Sequence, residues 1–495
     1  MKKLSRLTKT AYGIGNLGYG TLSQALNSFV MFFATAVLGM SGALVGLAVG
    51  ISALWDGVSD PIVGFISDRS KNTGLGRRLR FMFIATFTMA LSNIFLWVIP
   101  TSAPSIVKFF WLLLALLGIE TSCTLFATPY FALGVDLAPD YSEQNVIQGY
   151  KTVFFILGML LPSFLMMWFM PANNTMQSQF NQLGYIKIGL VTSFLSLACG
   201  LISTFGTLKA YKKIKFPVNM HQKQNQSFFK TLKKFFNVLK QKNYFSVIIG
   251  YSVALIASAF LISVGMHLFT YAYHFNSTQI PILMAVLFIS AIISQPFWIY
   301  LANRGEKKSA LNSSLITVLF GIALTVVTFI FRDFISNKAL FLLTLPCIFV
   351  CGFGTGSLYS LPLSMFADVL TMDNIKTGEN NSATYSGFMT ISYNLANSIA
   401  LFLIGLLLDF IKFDASQPVQ PLTVQNNLGL IVFLGCACSI SLSMLFFSQY
   451  SLKRKDILKA QMNSEFKILK IENVQKNTNE TGASQENKVS GVNKI

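Results

Sequence analysis

Twelve apolar stretches, each about as long as a membrane-spanning helix, constrain the fold of this chain more than any other feature. They lie near residues 11–38, 42–68, 80–100, 107–135, 146–170, 184–208, 243–273, 279–303, 309–331, 339–368, 381–411 and 426–451. Roughly 20 helical residues cross the hydrocarbon core of a bilayer. Only 12% of the 495 residues are charged, whereas soluble domains carry about 25%. The pattern predicts an all-α membrane protein with twelve transmembrane helices.

The basic residues are concentrated in every second loop between these stretches. The formal net charge is +19, and most Lys and Arg residues lie in the amino-terminal stub, in segments 69–80, 209–242 and 304–308, and after residue 452. Cytoplasmic loops of membrane proteins carry such an excess of positive charge, so both termini are predicted to be cytoplasmic. The distribution indicates a multi-pass protein of a cell inner or plasma membrane. It points to the lipid bilayer as partner and argues against nucleic acid.

The sequence lacks the residue clusters that typify enzymes and resident metal sites. All six cysteines lie in apolar runs, and the sequence has no nucleophile elbow, His-rich cluster or phosphate-binding loop. We therefore expect no enzymatic activity, no cofactor and no metal beyond a transported Na+. We also expect the protein to be a monomer.

Patterns of the first half of the chain return in the second half. The pairs Asp60-Pro61 and Asp68-Arg69 are echoed by Gln295-Pro296 and Asn303-Arg304, and segment 129–136 is echoed by 362–368. Repeated halves are typical of transporters whose substrate binds between two rocking bundles.

The repeat and the loop composition predict four regions. Residues 1–208 form a six-helix half that carries the cation site, and 209–242 form a basic cytoplasmic linker with an amphipathic surface helix over 227–240. A second six-helix half follows over 243–452, and 453–495 form a cytoplasmic, largely disordered tail.

Acidic residues in the second apolar stretch predict a cation site. Asp56, Ser59 and Asp60 share one helical face, because they are three and four residues apart. Two carboxylates in hydrocarbon are costly unless a positive species visits them, and Thr124 on the fourth stretch is the best candidate for a further hydroxyl ligand. The visitor could be a sodium ion or a proton shared by the two acids. Structural hydrogen bonds to neighbouring helices are the alternative.

Other polar residues in apolar stretches are candidates for the substrate site. Glu120 and Lys151 could pair with each other or orient a polar substrate, and Lys151 could also extend to the membrane surface. The remaining candidates lie on polar stripes or in motifs: Asn16, Gly20, Gln24, Tyr130, Tyr385, Tyr393 and Asn394.

Charged residues at the predicted cytoplasmic edge are candidates for gating. Asp68 could engage arginines or a helix amino terminus and hold the two halves in one state, although a solvated basic turn would have the same composition. The gating candidates are Asp68, Arg69, Arg77, Arg78, Asp136 and Asp368.

These motifs resemble those of a known family. The pattern Trp55-Asp56-x-x-Ser59-Asp60-Pro61-x-x-Gly64 resembles the second-helix signature of the glycoside–pentoside–hexuronide:cation symporters. The segments 128–130, 365–368 and 383–386 also match that family. Glu120-Thr121, followed by Pro129-Tyr130, is similar to the sodium-dependent lysophospholipid symporters of the same branch. The resemblance covers roughly residues 8–410.

The resemblance implies the major facilitator fold and coupling to sodium or protons. Asp56, Ser59, Asp60 and Thr124 would form the cation site, and Lys151 would stand for a family arginine near the substrate. Gly20 and Ala127 replace the sugar-binding aspartates of the galactoside transporters, so galactoside transport is not expected.

Together these observations predict a cation-coupled symporter that works by alternating access. Its substrate is predicted to be a small organic solute, a sugar or glycoside or a related polar compound. The alternatives are a lysophospholipid symporter of the same fold and a non-transporting membrane sensor.

Overall fold

The structure, a computed structural model, describes residues 4–70, 74–137, 141–170, 176–213, 241–377, 382–414, 417, 419–457 and 459. The surface helix predicted over 227–240 lies outside these residues, as do nearly all of the predicted linker and the tail beyond residue 459.

The described part of the chain is helical throughout, with thirteen α-helices. In the first half these are α1 (Arg6–Phe32), α2 (Gly42–Arg69), α3 (Arg77–Trp97), α4 (Ser105–Leu137), α5 (Tyr141–Phe169) and α6 (Gln182–Tyr211). The second half contains α7 (Lys242–His267), α8 (Gln279–Arg304), α9 (Lys307–Ile330), α10 (Asn337–Thr355), α11 (Leu361–Thr377), α12 (Ser382–Phe410) and α13 (Leu422–Ser448). Two π-helical turns, Phe33–Val37 and Leu268–Ala272, extend α1 and α7.

Small polar residues mark where several of these helices begin. The Ser5 side chain accepts a hydrogen bond from the Thr8 backbone N–H, and Ser41 and Asn181 do the same for Leu44 and Leu183. These caps satisfy backbone N–H groups that have no acceptor in the first turn of a helix.

Eleven helical segments are long and apolar enough to cross a membrane, counted over the described residues. One of them, Asn337–Ile375, contains α10, a 3-10 turn over Gly356–Tyr359, and α11. Helix α1 is not among the eleven, because buried polar side chains such as Asn16, Thr21 and Gln24 lower its hydropathy. The structure thus confirms an all-helical membrane fold, whereas twelve spans and cytoplasmic termini remain predictions.

The helices pack in two groups that follow chain order. In the first group, α1 packs against α5 and α6, α3 against α4 and α6, and α2 against α4. In the second, α7 packs against α12 and α13, α8 against α10, and α9 against α10 and α13. The groups meet where α2 contacts α12, where α1 contacts α7, and where α5 contacts α8.

Close contacts join the two groups near the ends of α1 and α7. The Thr35 hydroxyl and His267 Nε2 are 2.7 Å apart, and both residues are almost fully buried. Nearby, Asp409 Oδ1 accepts a hydrogen bond from the Gly42 backbone N–H at 2.5 Å. A Cβ on Gly46 would lie 2.9 Å from the Gly405 Cα, so glycine lets the α2 and α12 backbones approach. The groups are therefore held together on the side opposite the amino terminus.

Candidate functional site

The four predicted cation-site residues lie together where α2 faces α4. The Thr124 hydroxyl donates to Asp56 Oδ1 at 3.1 Å and lies 3.1 Å from the Ser59 hydroxyl. Asp60, one turn after Asp56, lies beside the hydroxyls of Thr124 and Thr128. The site thus offers two carboxylates and three hydroxyls within two neighbouring helices.

Pro61 adds a backbone oxygen to this region. A proline has no N–H, so in a helix the carbonyl four residues earlier loses its donor. In α2 that carbonyl belongs to Gly57, one residue after Asp56. The carbonyl oxygen of Gly57, next to the acids, therefore lacks its usual helical donor, a feature that follows from the position of Pro61 in the sequence.

Asn394 on α12 reaches the same site from the other half. Its side-chain nitrogen donates to Asp56 Oδ2 at 3.2 Å, and Asn394 is 8% exposed. Gly57 makes room for this contact, because a Cβ there would lie 3.1 Å from the Asn394 Cβ. Asn394, predicted as a substrate residue, thus contacts a carboxylate of the predicted cation site, and Asp56 forms hydrogen bonds to both halves at once.

Glu120 adds a third carboxylate one turn before Thr124. It lines a cavity together with Asn27 and Ser52 of the first half and Ser263 and Asn397 of the second. Within the described residues no ion pair joins Glu120 to Lys151. The Lys151 Nζ instead lies 4.4 Å from the centre of the Phe131 ring. Glu120 and Lys151 thus do not pair with each other, and a role for either in substrate binding stays a prediction.

Three other substrate candidates pack between helices of the first half, and a fourth, Gln24, forms a hydrogen bond within α1. Asn16 donates to the Lys151 backbone carbonyl at 3.0 Å, and Gln24 donates to the Ser28 hydroxyl at 2.6 Å. A Cβ on Gly20 would lie 2.7 Å from the Phe155 carbonyl oxygen, so this glycine lets α1 approach α5. Tyr130 stacks on Tyr12, with ring centres 4.4 Å apart. A polar stripe in the sequence cannot distinguish such packing positions from positions that face a cavity.

The remaining candidates, Tyr385 and Tyr393, lie on α12. The Tyr385 hydroxyl donates to Asp373 Oδ2 at 2.8 Å, within the second half. The Tyr393 ring meets the Tyr251 ring edge to face, with centres 6.2 Å apart. Of the two, Tyr393 is the one near Asn394 and the cation site.

Three of the gating candidates, Arg78, Asp136 and Asp368, form ion pairs within one half or the other. Arg78 Nε lies 2.5 Å from Asp136 Oδ2 and joins α3 to α4, whereas Lys307 Nζ lies 2.6 Å from Asp368 Oδ2 and joins α9 to α11. Arg77 lies beside Tyr211. The side chains of Asp68 and Arg69 are outside the described part of the chain. Asp136 and Asp368 thus take equivalent partners in the two repeated halves, and neither ion pair connects one half to the other.

Comparison with known proteins gives consistent matches over nearly the whole chain. The family described as MFS/sugar transport protein matches residues 11–454. The sodium-dependent lysophosphatidylcholine symporter 1 of Xenopus tropicalis is 24% identical over 92% of this chain and 90% of its own length. An uncharacterized symporter of Synechocystis is also 24% identical, over 87% of this chain and 90% of its own length.

Solved structures show the same architecture at low sequence identity. The nucleoside transporter NupG superposes with a TM-score of 0.61 at 13% identity, over 91% of this chain and all of that one. A bacterial homologue of the lysosomal transporter Spinster, in an inward-facing conformation, gives 0.62 at 13% identity over 92% and 97%. At such identity the likeness shows the fold alone.

Proposed function

The chain belongs to the MFS/sugar transport protein family, and from this premise we propose that it is a sodium-coupled symporter of a lysophospholipid-type amphiphile. It is a multi-pass membrane transporter of the major facilitator class and not an enzyme, as the sequence predicted. The sugar or glycoside substrate, the inner or plasma membrane and the monomeric state remain predictions.

Sodium coupling is supported above all by the contacts of Asp56. One carboxylate oxygen accepts from Thr124 in the same half and the other accepts from Asn394 in the opposite half. A sodium ion prefers several oxygen ligands with negative charge, which Asp56, Asp60 and the adjacent hydroxyls supply. The relatives named as sodium-dependent symporters favour sodium over a proton.

Ion binding at this site would alter the contact between the halves. A cation between Asp56 and Asp60 neutralises two like charges in the bilayer and competes with Asn394 for Asp56 Oδ2. The ion therefore binds with different affinity when Asn394 contacts Asp56 and when the halves have separated there. An ion gradient can drive a conformational change only if the affinity for the ion differs between the two conformations. By this competition, ion binding would shift the protein between the two conformations that alternating access requires.

The substrate class rests on the relatives and on Lys151. Sodium-dependent lysophosphatidylcholine symporters match over more than nine-tenths of this chain. Lys151 lies against an aromatic ring and has no described ion pair, so it can meet the phosphate of a lysophospholipid. Gly20 and Ala127, where a galactoside transporter would have acids, leave sugar hydroxyls without those acceptors.

The test is uptake of palmitoyl lysophosphatidylcholine by the purified protein in liposomes, with melibiose, glucose and uridine as other substrates. An inward sodium gradient should drive accumulation of the lysolipid in the wild type and not in Asp56→Asn. Asp333→Asn, which changes an exposed surface acid, should behave as the wild type. Accumulation driven only by a proton gradient would refute sodium coupling, and accumulation of a sugar instead would refute the substrate class.

A further inference from the structure

An apolar cavity lies inside the second half, and the residues that line it are distinct from those of the site described above. Helices α7, α8, α9, α10 and α13 line a cavity of about 90 Å³ that is partly open to the surroundings. None of the described residues that line it is charged. Its walls include Leu255, Ala291, Val318, Ile348, Val432 and Cys436.

Two tyrosines give this cavity a polar margin. Tyr251 and Tyr359 line it, and Tyr359 is 47% exposed. The Tyr251 ring packs against Tyr393, which is the neighbour of Asn394 on α12. Because Asn394 contacts Asp56, one margin of the apolar cavity lies close to the cation site. Tyrosine is common where an apolar surface meets a polar one.

A cavity of about 90 Å³ is more space than close-packed helices leave between them. Protein interiors are close-packed, and an unfilled apolar cavity deprives its walls of contacts. A single hydrocarbon chain requires no hydrogen bonds and gains from every methylene that it buries. The combination of uncharged walls, a tyrosine margin and a neighbouring ion site fits a molecule with one chain and a polar head.

We propose that this cavity holds the hydrocarbon chain of the substrate while its headgroup lies between the two halves. The proposal rests on the proposed function, because it assumes that the substrate is an amphiphile. It assigns the two ends of the substrate to different places: the charged head near Lys151 and the cation site, and the chain inside the second half.

Photo-crosslinking tests the location of the chain. The wild-type protein in liposomes is irradiated with a palmitoyl lysophosphatidylcholine analogue that carries a diazirine near the chain end, and the adducts are located by peptide mass spectrometry. The expected adducts lie on cavity segments 348–355 and 432–440, and unlabelled lysophosphatidylcholine should compete for them. Adducts confined to the first half or to membrane-facing residues would overturn the proposal.

A filling substitution provides the matched functional test. Ala291 is 4% exposed and lines the cavity, whereas Ala323 is exposed on α9. Ala291→Leu should leave room for about two fewer methylenes of the chain. Each buried methylene contributes about a factor of four to affinity, so the concentration of the palmitoyl compound for half-maximal uptake should rise about tenfold. Decanoyl lysophosphatidylcholine should be affected less, and Ala323→Leu should change neither. If Ala291→Leu does not fold, Ser258→Leu fills the same cavity.

The outcomes separate this inference from the proposed function. Sodium-driven lysolipid uptake by the wild type without adducts in the cavity refutes the chain site and leaves the symporter assignment standing. Competed adducts in the cavity without any sodium-driven uptake support the chain site and refute the transport assignment. Unchanged uptake of both chain lengths by a folded Ala291→Leu protein also counts against the chain site.

Discussion

Replacing Thr124 by alanine removes the hydroxyl that joins α4 to the acids of α2. This hydroxyl donates to Asp56 Oδ1 and lies 3.1 Å from the Ser59 hydroxyl. A hydrogen bond to a charged group contributes about 1.5–3 kcal/mol. Because about 1.4 kcal/mol corresponds to a factor of ten in affinity, Thr124→Ala should weaken sodium binding by about ten- to a hundredfold. The same substitution also removes one of the oxygen atoms that we propose as ligands of the ion.

The assay is the sodium-dependent rise in melting temperature of the purified protein, measured over a range of sodium concentrations at constant ionic strength. A ligand that binds only the folded state stabilises it according to its concentration relative to Kd. The midpoint of the rise should therefore move to higher sodium in Thr124→Ala. Thr124→Ser keeps the hydroxyl and should stay close to the wild type.

Thr207 supplies the control for simple loss of a buried threonine. Its hydroxyl is fully buried and donates to the Ser203 carbonyl of its own helix. Thr207→Ala should lower the melting temperature without moving the sodium midpoint. An unchanged midpoint in Thr124→Ala would refute the ion site as described. If Thr124→Ala and Thr124→Ser moved the sodium midpoint equally, the methyl group of Thr124 and not its hydroxyl would be responsible.

Three further substitutions address coupling, closure and substrate charge. Asn394→Ala removes the hydrogen bond across the halves, so sodium-driven uptake should fall about tenfold while sodium still raises the melting temperature. Gly46→Leu should push α2 away from α12 and open the side on which the ends of α1 and α7 join the two halves. Cysteines introduced on that side should then be labelled more. Gly387→Leu, where a Cβ meets nothing within 4 Å, should not change the labelling. Lys151→Gln should raise the lysophosphatidylcholine concentration for half-maximal uptake about tenfold, because the phosphate loses a charged partner, and should leave sodium binding unchanged. Lys187→Gln, at an exposed position, should affect neither.

Local sequence patterns predicted the helices closely. The stretch predicted over 42–68 is helix Gly42–Arg69, and that over 184–208 is helix Gln182–Tyr211. A helix that crosses the bilayer needs about 20 mostly apolar residues, so an apolar stretch of that length locates it without knowledge of the neighbouring helices. The same signal gave no indication that the stretch over 339–368 contains a 3-10 turn at Gly356–Tyr359.

The arrangement of the proposed cation-site residues was predictable where it depends on helical spacing alone. Asp56, Ser59 and Asp60 share a face because of helical spacing alone, and the spacing of Glu120, Thr124 and Thr128 places them on one face of α4 in the same way. The sequence analysis included Thr128 only as part of segment 128–130, although its four-residue separation from Thr124 already places both hydroxyls on one helical face.

Contacts between distant helices were beyond the sequence. Asn394 and Asp56 are 338 positions apart, and no local pattern pairs them. Likewise, a polar stripe on α1 follows from its sequence, but whether Asn16 or Gln24 faces a cavity or a neighbouring helix depends on how α5 packs. Prediction of these contacts requires the arrangement of all the helices.

The repeat of the two halves connects the ion site with the chain cavity. Pro296 on α8 corresponds to Pro61 on α2, so Gln295 stands where Asp60 does, and Ala291 stands four residues earlier, where Asp56 does. Ala291 lines the apolar cavity. On the two proposals, one equivalent helix position thus carries an acid of the ion site in the first half, Asp56, and a wall residue of the hydrocarbon site in the second, Ala291. On these proposals the ion and the chain bind to different halves. We therefore expect their binding to be coupled through the contact of Asn394 with Asp56, which joins the two halves.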